Sequence, residues 1–426
     1  MATLLFVSFF VLIIIGVPIA VALGLAAIFT ILGGLNIPMV ITSQTMFNGV
    51  NSFQLMAVPF FILAGNLMSE GGISSKLIKF VNLFFARIRG GLSIVAIGAS
   101  MIFAAISGSC PATTAAIGGL MVPEMEKNGY DKRFSAATVA AAGTVGQVIP
   151  PSIPMVTYCV LADTSVGKLF LTGVGPGIVM GILMMVIAYI YASKHNIPKF
   201  KDELTLKKFF KTLGESIWAL LMPVVILGGI YSGIFTPTEA GAVACVYSLV
   251  VGLFIYRELD PKALVRIFAK SAVASAVIMM IMGTVTTFSF VLTRERIPQL
   301  IATTLLSITS NKYILLFLFD ILLLIVGCFL NSSAAIALLT PILLPVLTGV
   351  GVDPYHVGII FIVVMGIGMI TPPVGTCLYV ATNISGLKFE EVVKGVMPYL
   401  IALIVAMLIV TYVPALSVGF ADLFMG

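Results

Sequence analysis

A segment of this chain recurs without gaps 222 positions later, and this internal repeat limits the possible folds more than any other feature. The residues that the two copies share are mostly those that shape a backbone. In the first copy they are Ala112, Ala115, Pro123, Gly129, Asp131, Gly146, Pro150, Pro151 and Pro176. In the second copy they are Ala334, Ala337, Pro345, Gly351, Asp353, Gly368, Pro372, Pro373 and Pro398. Because glycine and proline set turns and helix breaks, their shared order predicts two related structural halves.

The composition is that of a membrane protein. Hydrophobic residues make up 60% of the chain, charged residues only 9%, and the mean hydropathy is +1.17. Uncharged runs cover residues 2–68, 90–123, 135–162 and 321–352, each long enough to cross or enter a bilayer. The first run lacks a basic start and is too long for a signal peptide, so we interpret it as a retained transmembrane helix. The sequence predicts an all-α polytopic membrane protein.

Hydropathy and segment length predict nine full crossings and two re-entrant hairpins. The segments 91–123 and 313–345 are too long for single crossings, because a helix of 33 residues would be about 50 Å long in hydrocarbon about 30 Å thick. We expect each to enter the membrane, turn at a polar tip and leave on the same side. The full crossings are expected near 3–33, 53–69, 135–160, 169–193, 214–234, 236–256, 269–293, 355–384 and 396–420.

The positive charges divide the loops between the two sides of the membrane. Of the 23 Lys and Arg residues, 19 fall in loops that alternate crossing assigns to the cytoplasm, as the positive-inside rule requires. This topology puts the N-terminus inside and the C-terminus outside. Five crossings separate the two copies of the repeat, and an odd number inverts the second copy. The cytoplasmic loops are expected at 70–90, 124–134, 194–213, 257–270 and 385–395.

Polar residues are concentrated at the two hairpin tips and around the two Pro-Pro pairs. The Pro-Pro pairs and the glycines before them should unwind two of the crossing helices, and the freed carbonyl oxygens would suit a desolvated Na⁺. Simple kinks packed against Ser and Thr neighbours are the structural alternative. A first Na⁺ site is predicted at Ser107, Gly108, Ser109, Gly143, Thr144, Gly146 and Pro150. A second is predicted at Asn331, Ser333, Gly366, Gly368, Met369, Thr371 and Thr376.

Each hairpin tip also begins a helix whose free N–H groups and positive dipole end suit a carboxylate. We therefore predict an organic-anion site at Ser109, Thr113, Thr114, Pro151, Ser152, Ser332, Ser333 and Pro373. Asp131 and Asp353 are expected to cap the helices that follow them. Asp320 is expected near the outer interface, and both a functional role and simple solvation or pairing are open. The roles of Glu239, Arg294 and Arg296 are left open as well.

The break motifs carry a resemblance to a known family. The stretches Gly146-Gln-Val-Ile-Pro-Pro-Ser152 and Ile370-Thr-Pro-Pro-Val-Gly-Thr376, the turn Val122-Pro-Glu-Met125 and the paired hairpins make the chain similar to the large membrane subunit of TRAP (tripartite ATP-independent periplasmic) transporters, most like the sialic acid branch. The resemblance implies a Na⁺-driven elevator importer of sialic acid (N-acetylneuraminate) in the bacterial inner membrane. It also implies a periplasmic substrate-binding protein and a small four-helix membrane subunit. We expect that subunit to be a separate chain, because no such segment precedes Met1.

By analogy with that family, the chain divides into a fixed scaffold and a moving transport domain. The predicted scaffold comprises 1–70 and 214–293. The predicted transport domain comprises repeat 1 at 91–193 and repeat 2 at 313–426. The remaining segments are an amphipathic arm at 71–90, a cytoplasmic loop at 194–213 and a periplasmic arm at 294–312.

Several other functions are considered. A C4-dicarboxylate or other carboxylate TRAP importer is one alternative. A stand-alone sodium/divalent-anion symporter, which would share the architecture and work without a binding protein, is another. A channel would need a continuous polar pore lining, and here the polar groups are confined to two tips and two breaks. An intramembrane protease would need a nucleophile–base set or metal ligands, which the sequence lacks. No enzymatic activity, metal centre other than Na⁺ or nucleic-acid partner is predicted.

Overall fold

The computed structural model describes residues 1–35, 37–85, 87–195, 197, 205–309 and 311–425, which form helices joined by short turns, with no strand among them. The first ten α-helices are α1 Ala2–Ile14, α2 Ile19–Leu32, α3 Val40–Val50, α4 Ala57–Glu70, α5 Ile73–Phe85, α6 Gly91–Ser107, α7 Cys110–Lys127, α8 Lys132–Gly143, α9 Ile153–Ala162 and α10 Val166–Lys194. The second ten are α11 Leu206–Tyr231, α12 Pro237–Val250, α13 Pro261–Arg294, α14 Ile297–Ile308, α15 Lys312–Gly327, α16 Ser332–Gly349, α17 Pro354–Gly368, α18 Thr376–Ser385, α19 Phe389–Tyr412 and α20 Val418–Met425. Within these ranges six helices are long and apolar enough to cross a membrane, namely α10, α11, α12 with its continuation to Ile255, α13, α16 and α19.

The internal repeat is confirmed in the local structure. Gly129 and Gly351 occupy the same place in matching turns, with φ of +82° and +80°, where a side chain would be strained. Asp131 and Asp353 each accept hydrogen bonds from the backbone N–H groups two and three residues later. The two aspartates are therefore the helix caps that the sequence predicted.

Both predicted breaks are present. After α8 the chain forms a 3₁₀ turn, Thr144–Gln147, and helix resumes at Ile153. After α17 it remains non-helical until Thr376. The peptide bonds Pro150–Pro151 and Pro372–Pro373 are both cis. The pairs α8–α9 and α17–α18 are therefore interrupted spans, one in each half.

Both predicted hairpins are present as well. At the base of the first, the backbone N–H of Leu92 at the start of α6 donates to the hydroxyl of Tyr130 just beyond α7, so the hairpin returns to the side it came from. In the second, Leu315 near the start of α15 and Leu347 near the end of α16 line one small cavity. The α6–α7 and α15–α16 pairs therefore run antiparallel.

The predicted first crossing at 3–33 is wrong, because this segment is a third hairpin. A β-carbon on Gly33 would lie 2.6 Å from a side-chain methyl of Leu4, so the end of α2 lies beside the start of α1. Gly16, with φ of +87°, and Pro18 at the start of α2 make the reversal. At 1.5 Å per residue α1 is about 20 Å long, too short to cross the hydrocarbon.

The hairpin changes the topology of the N-terminus. Three ion pairs, Glu70–Arg266, Lys76–Glu258 and Arg133–Glu391, join segments predicted to share one side, which we call the basic face. Lys168–Asp422 joins segments predicted on the opposite face. The Met1 ammonium, however, is 3.5 Å from the Glu295 carboxylate, in the segment predicted outside. The N-terminus therefore lies on the face opposite the basic one, and the prediction that placed it with the cytoplasmic loops is wrong.

Two other boundaries differ from expectation. The crossing predicted at 53–69 is the second part of a bent span, in which α3 meets the segment Gln54–Glu70 at 61°. The crossing predicted at 396–420 ends at Tyr412, and the chain then folds back so that the Leu416 carbonyl packs on Gly175 of α10. Replacing the first crossing by a hairpin leaves eight crossings in the part of the chain that the structure describes, α3–α4, α8–α9, α10, α11, α12, α13, α17–α18 and α19.

The two connecting segments are described in part. Within the loop predicted at 194–213, residues 196 and 198–204 lie outside the described residues, and α11 already begins at Leu206. The arm predicted at 294–312 contains α14. The arm predicted at 71–90 contains α5, whose Leu77 and Val81 are buried and which packs on α6 and α11.

The two halves of the repeat exchange partners. Helix α7 of the first half packs on α18 of the second, and α16 of the second packs on α9 of the first. Hydrogen bonds cross the same boundary. The Gln147 side chain donates to the Ile362 carbonyl at 2.8 Å, and the Tyr158 hydroxyl donates to the Pro354 carbonyl at 2.6 Å. Each hairpin is therefore supported by the broken helix of the other half.

The remaining long helices form a second layer. Helix α13 is flanked by α2, α3 and α4, and α4 packs on α12. The Asn66 amide of α4 donates to the Ser271 hydroxyl of α13 at 2.8 Å. This layer meets the hairpins where α4 contacts α6 and α13 contacts α16. The division into a fixed and a moving part stays a prediction.

Candidate functional site

A cavity of about 530 Å³ lies where the two layers meet. On one side it is lined by both hairpin tips, residues 107–112 and 331–334. On the other it is lined by the start of α2 and by parts of α4 and α13. A volume of this size suits a small organic molecule. The two tips are brought together here because the inverted repeat points both hairpins at the middle of the molecule.

At the first tip, the chain packs tightly on the first break. The hydroxyls of Ser107 and Thr113 are 2.7 Å apart. A β-carbon on Gly146 would lie 2.6 Å from both the Ser109 carbonyl oxygen and the Thr113 hydroxyl. Gly143 faces the Thr114 hydroxyl in the same way. The structure therefore brings four of the residues predicted for the first Na⁺ site, Ser107, Ser109, Gly143 and Gly146, into one contact zone rich in oxygen atoms.

The other residues predicted for this site lie around the same zone. Thr144 lies beside it, and its carbonyl accepts a hydrogen bond from the Cys110 thiol at 3.4 Å. Gly108 contacts the Pro151 carbonyl, at 2.9 Å from the position of a β-carbon. Pro150 is buried at the start of the cis Pro-Pro pair.

At the second tip, the arrangement is similar but less complete. Gly368 packs on Gly327, where a β-carbon would lie 2.8 Å from the Gly327 carbonyl oxygen. The Asn331 side chain caps α16 by accepting from the Ser333 N–H at 2.9 Å. Gly366 faces the Gln147 amide of the first half. Asn331 and Ser333 line the cavity, whereas Gly366 and Gly368 lie behind it.

Two hydroxyls near the second tip are buried without a hydrogen-bond partner among the described residues. They are those of Ser332 at the tip and Thr376 at the start of α18. Thr371, by contrast, donates to the Ile367 carbonyl at 2.8 Å. The Met369 carbonyl accepts a hydrogen bond from the Cys377 N–H, and Met369 is one of the residues that line the cavity. Unpartnered hydroxyl oxygens beside unwound backbone are the donor set that a Na⁺ ion would use.

The predicted substrate residues divide into two groups. Ser109, Ser332 and Ser333 line the cavity. Thr113, Thr114, Pro151 and Ser152 are buried behind the first tip, and Pro373 is exposed away from the cavity. Ser152 accepts from the Met155 N–H as the cap of α9. The structure therefore brings the three tip serines together and leaves the other five residues outside the cavity lining.

The structure adds three polar residues that the sequence did not assign to any of the predicted sites. Asn66 of α4, Gln147 of the first break and Lys270 of α13 all line the cavity. The sequence predicts Lys270 only as one of the positive charges of the 257–270 loop. Its spacing from Ala274, Val277 and Ile281 on one face of α13 is a helical pattern that could have indicated a shared lining role.

The candidate acids lie away from this cavity. Asp320 is fully buried, and one of its carboxylate oxygens accepts from the Thr411 hydroxyl at 3.3 Å, so of the alternatives left open simple solvation does not apply. Its second oxygen has no partner among the described residues. Glu239 accepts from both the N–H and the hydroxyl of Thr236 and closes a capping box at the start of α12.

Within the described ranges, no cluster of three or more His, Cys, Asp or Glu side chains could hold a metal ion. The cavity lining supplies hydroxyls, amides, backbone groups and one ammonium group. Such a set can bind an anion by hydrogen bonding and charge, and the adjacent breaks offer oxygen atoms to a hard monovalent cation.

Comparison with known proteins agrees with this arrangement. A family model described as "Tripartite ATP-independent periplasmic transporter, DctM component" matches residues 6–416. An isethionate TRAP transporter permease protein, DctMQ, of Oleidesulfovibrio alaskensis is 44% identical over 98% of the chain, which spans 66% of that protein's length. A C4-dicarboxylate TRAP large permease protein, DctM, of Pseudomonas aeruginosa is 43% identical over 88% of the chain and 87% of its own length.

A relative named for sialic acid is also found. The sialic acid TRAP large permease protein SiaM of Vibrio cholerae is 38% identical over 90% of both chains. Among solved structures, the YdaH transporter of Alcanivorax borkumensis superposes with a TM-score of 0.62 over 88% of each chain, at 15% identity. At that identity the likeness shows the fold alone.

Proposed function

We propose that this chain, which belongs to the DctM-component family of tripartite ATP-independent periplasmic transporters, imports a small organic anion across the bacterial inner membrane, coupled to Na⁺. The observation that carries the proposal is the cavity at the junction of both hairpin tips, with an oxygen-rich contact zone behind each tip. Anion and cation would then be bound by the same two tips. Loading one would favour the other, which is the basis of coupled transport.

The substrate class follows from charge and from the relatives. The relatives above are named for isethionate, C4-dicarboxylates and sialic acid, which are organic acids of different shape that share a carboxylate or sulfonate group. Sialic acid stays a prediction. The two relatives named for the smaller acids are the more similar in sequence, so succinate and isethionate belong in the same test.

Sodium is favoured over protons as the coupling ion because of the groups beside the tips. A proton-coupled carrier needs a titratable group that exchanges with both sides of the membrane. Asp320 is buried beside Thr411, away from the cavity, and Glu239 is a helix cap. Sodium needs only oxygen ligands, which backbone carbonyls and hydroxyls of the tips and breaks supply. One zone in each half implies at least two ions per cycle.

The proposed partners are a small membrane subunit and a periplasmic binding protein. By the positive-inside rule the basic face lies in the cytoplasm, so both termini lie in the periplasm. The exposed Lys270 at the basic end of the cavity lining favours an inward-facing state. The transport domain would carry the tips between this position and one facing the periplasm.

Uptake into proteoliposomes tests the function. The chain is purified with the proteins that bind it, and uptake of labelled succinate, isethionate and N-acetylneuraminate is driven by a Na⁺ gradient at constant pH. We expect one anion to accumulate, with a rate that rises cooperatively with Na⁺ and requires the binding protein. The variant Asp320→Asn should keep the Na⁺ dependence even if its rate is lower.

Two results would contradict parts of this proposal. In the first, a pH gradient drives uptake without Na⁺, and this uptake is lost in Asp320→Asn. Transport would then be coupled to protons and not to Na⁺. Rapid uptake of the free anion by the isolated chain, without a binding protein or second subunit, would favour the stand-alone symporter.

A further inference from the structure

We propose that Lys270 is the anion-binding cation of the inward-facing cavity and holds the substrate's acidic group at the cytoplasmic exit. The inference rests on the proposed function, because it assigns one contact of that same substrate. Lys270 belongs to the layer opposite the moving tips. Its contact with the anion would therefore exist in one state of the cycle and be absent in the other.

Lys270 faces the cavity because of its position on α13. The residues of α13 that line the cavity are Lys270, Ala274, Val277, Ile278 and Ile281. Their spacings of three, four and one residues place them on one face of a helix. At 1.5 Å per residue this face extends about 16 Å, from the level of Ile281 down to Lys270. Lys270 is thus the last residue of the lining before the basic face.

The exposure of the lining indicates that the cavity opens towards Lys270. Lys270 is exposed, whereas Ile281 at the other end of the α13 face is 7% exposed and Ala20 of α2 is 8% exposed. An anion leaving the tips therefore passes Lys270 on its way to the cytoplasm.

Lys270 is also the one charged side chain among the described residues that line this cavity. The acids around the start of α13 are already engaged. Glu70 pairs with Arg266 at 2.7 Å, Glu258 pairs with Lys76 at 3.6 Å, and Asp260 accepts from the Lys262 N–H at 2.9 Å. Within the described ranges Lys270 has no acidic partner. An ammonium group in a neutral cavity is complementary to an organic anion.

The chemistry of lysine suits an exit contact. Its ammonium is a compact, hydrated charge on a flexible stem, so it can follow an oxoacid group without demanding a fixed geometry. The tip serines hold the anion by hydrogen bonds in a recessed position, whereas Lys270 attracts it over a longer range. A lysine that merely anchors α13 at the membrane surface would make no contribution to anion affinity.

Binding to the purified inward-facing complex tests this. Succinate, isethionate and N-acetylneuraminate are each titrated by calorimetry into wild type, Lys270→Gln, Lys270→Arg and Lys262→Gln at constant Na⁺. For the anion that binds wild type, Lys270→Gln should weaken Kd about two- to fivefold, in the range of an exposed charge contact. Lys270→Arg keeps the positive charge, and Lys262 lies two turns away on the same helix. Lys270→Arg and Lys262→Gln should therefore bind the anion with the Kd of wild type.

Ionic strength gives the second measurement. Adding choline chloride at constant Na⁺ should weaken anion binding to wild type more than to Lys270→Gln, because screening acts on the charge that the variant lacks. Na⁺-dependent thermal stabilisation should be the same in all four proteins, which checks folding. Equal Kd and equal salt dependence in wild type and Lys270→Gln would overturn the inference and leave the proposed function standing. A wild type that neither binds nor transports any of the three anions would overturn both.

Discussion

Glycine has a different task at the two breaks from its task in the turns. Gly129 and Gly351 are needed for a left-handed backbone, whereas Gly146 and Gly368 are needed for space. Each of the latter two touches the backbone of its hairpin so closely that no side chain fits. The oxygen-rich zone behind each tip therefore depends on a missing β-carbon.

Replacing either glycine with alanine should separate the tip from the break. In Gly146→Ala the new methyl would lie 2.6 Å from the Ser109 carbonyl, and in Gly368→Ala 2.6 Å from the Gly327 carbonyl carbon. Such overpacking costs typically about 1–3 kcal/mol. We expect both variants to lose Na⁺-dependent thermal stabilisation and Na⁺-driven uptake.

Gly119→Ala is the matched control, because a β-carbon at Gly119 of α7 meets nothing within 4 Å. It should keep both properties. If Na⁺ stabilised Gly146→Ala and Gly368→Ala against heat as much as it stabilises wild type, the two breaks would not be part of the Na⁺ sites.

At this scale the sequence predicted what depends on local backbone chemistry and missed what depends on helix rotation. The Gly and Pro-Pro positions and the caps Asp131 and Asp353 are found where expected, because each of these residues acts on its own neighbours in the chain. Lys270 was missed because only the packing of α13 decides which face meets the cavity. Thr113 and Thr114 were assigned to the substrate, but α7 turns them towards the first break.

Among the elements, the hairpin α1–α2 is the one that hydropathy could not resolve. A single apolar run of about 30 residues fits one long crossing as well as two helices of 13 and 14 residues. The reversal depends on Gly16 and Pro18, which were visible in the sequence. Glycine and proline also occur inside transmembrane helices, so they do not decide the matter by themselves. Packing of α1 and α2 along α13 decides it.

Cysteine labelling distinguishes the hairpin from a crossing. Single cysteines are introduced at three exposed positions. Thr3 and Arg296 lie near the ion pair of Met1 and Glu295, and Lys127 lies at the basic face. In intact spheroplasts a membrane-impermeant maleimide should label the first two and reach the third only after permeabilisation. The five native cysteines are buried and give a low background. If Thr3→Cys were labelled only after permeabilisation, as Lys127→Cys is, residues 3–33 would form a single crossing and the hairpin would be wrong.

On the scale of the whole molecule, the proposed cycle requires the two layers to slide past each other. Their contact near the cavity is close: a β-carbon on Gly65 of α4 would lie 3.3 Å from the Cα of Ser107. Within the predicted transport domain, the two repeats are held together by the exchanged helices and by hydrogen bonds such as that from the Gln147 side chain to the Ile362 carbonyl. Motion is therefore expected between the layers and not within the paired repeats.

A disulfide between the layers should stop transport reversibly. The pair Gly65→Cys with Ser107→Cys is close enough to form one. Oxidation should block uptake, and a reductant should restore it to the level of Ser107→Cys alone. The control Gly118→Cys with Val139→Cys joins α7 and α8 within the predicted transport domain, where the two β-carbons would lie 3.5 Å apart, and it should transport when oxidised. Undiminished uptake by the oxidised Gly65–Ser107 pair would contradict an elevator movement.

The exchange of helices between the two halves also bears on biosynthesis. Helix α7 needs α18, which begins 266 residues later, and α9 needs α16, which begins 179 residues later. At about 5–20 residues per second, a ribosome takes roughly 9 to 53 s to make stretches of these lengths. During this interval the first hairpin and its broken helix sit in the bilayer with carbonyls and hydroxyls that have no final partners. The nascent first half therefore has to be sheltered, by the insertion machinery or by the scaffold helices made before it, until its counterpart arrives.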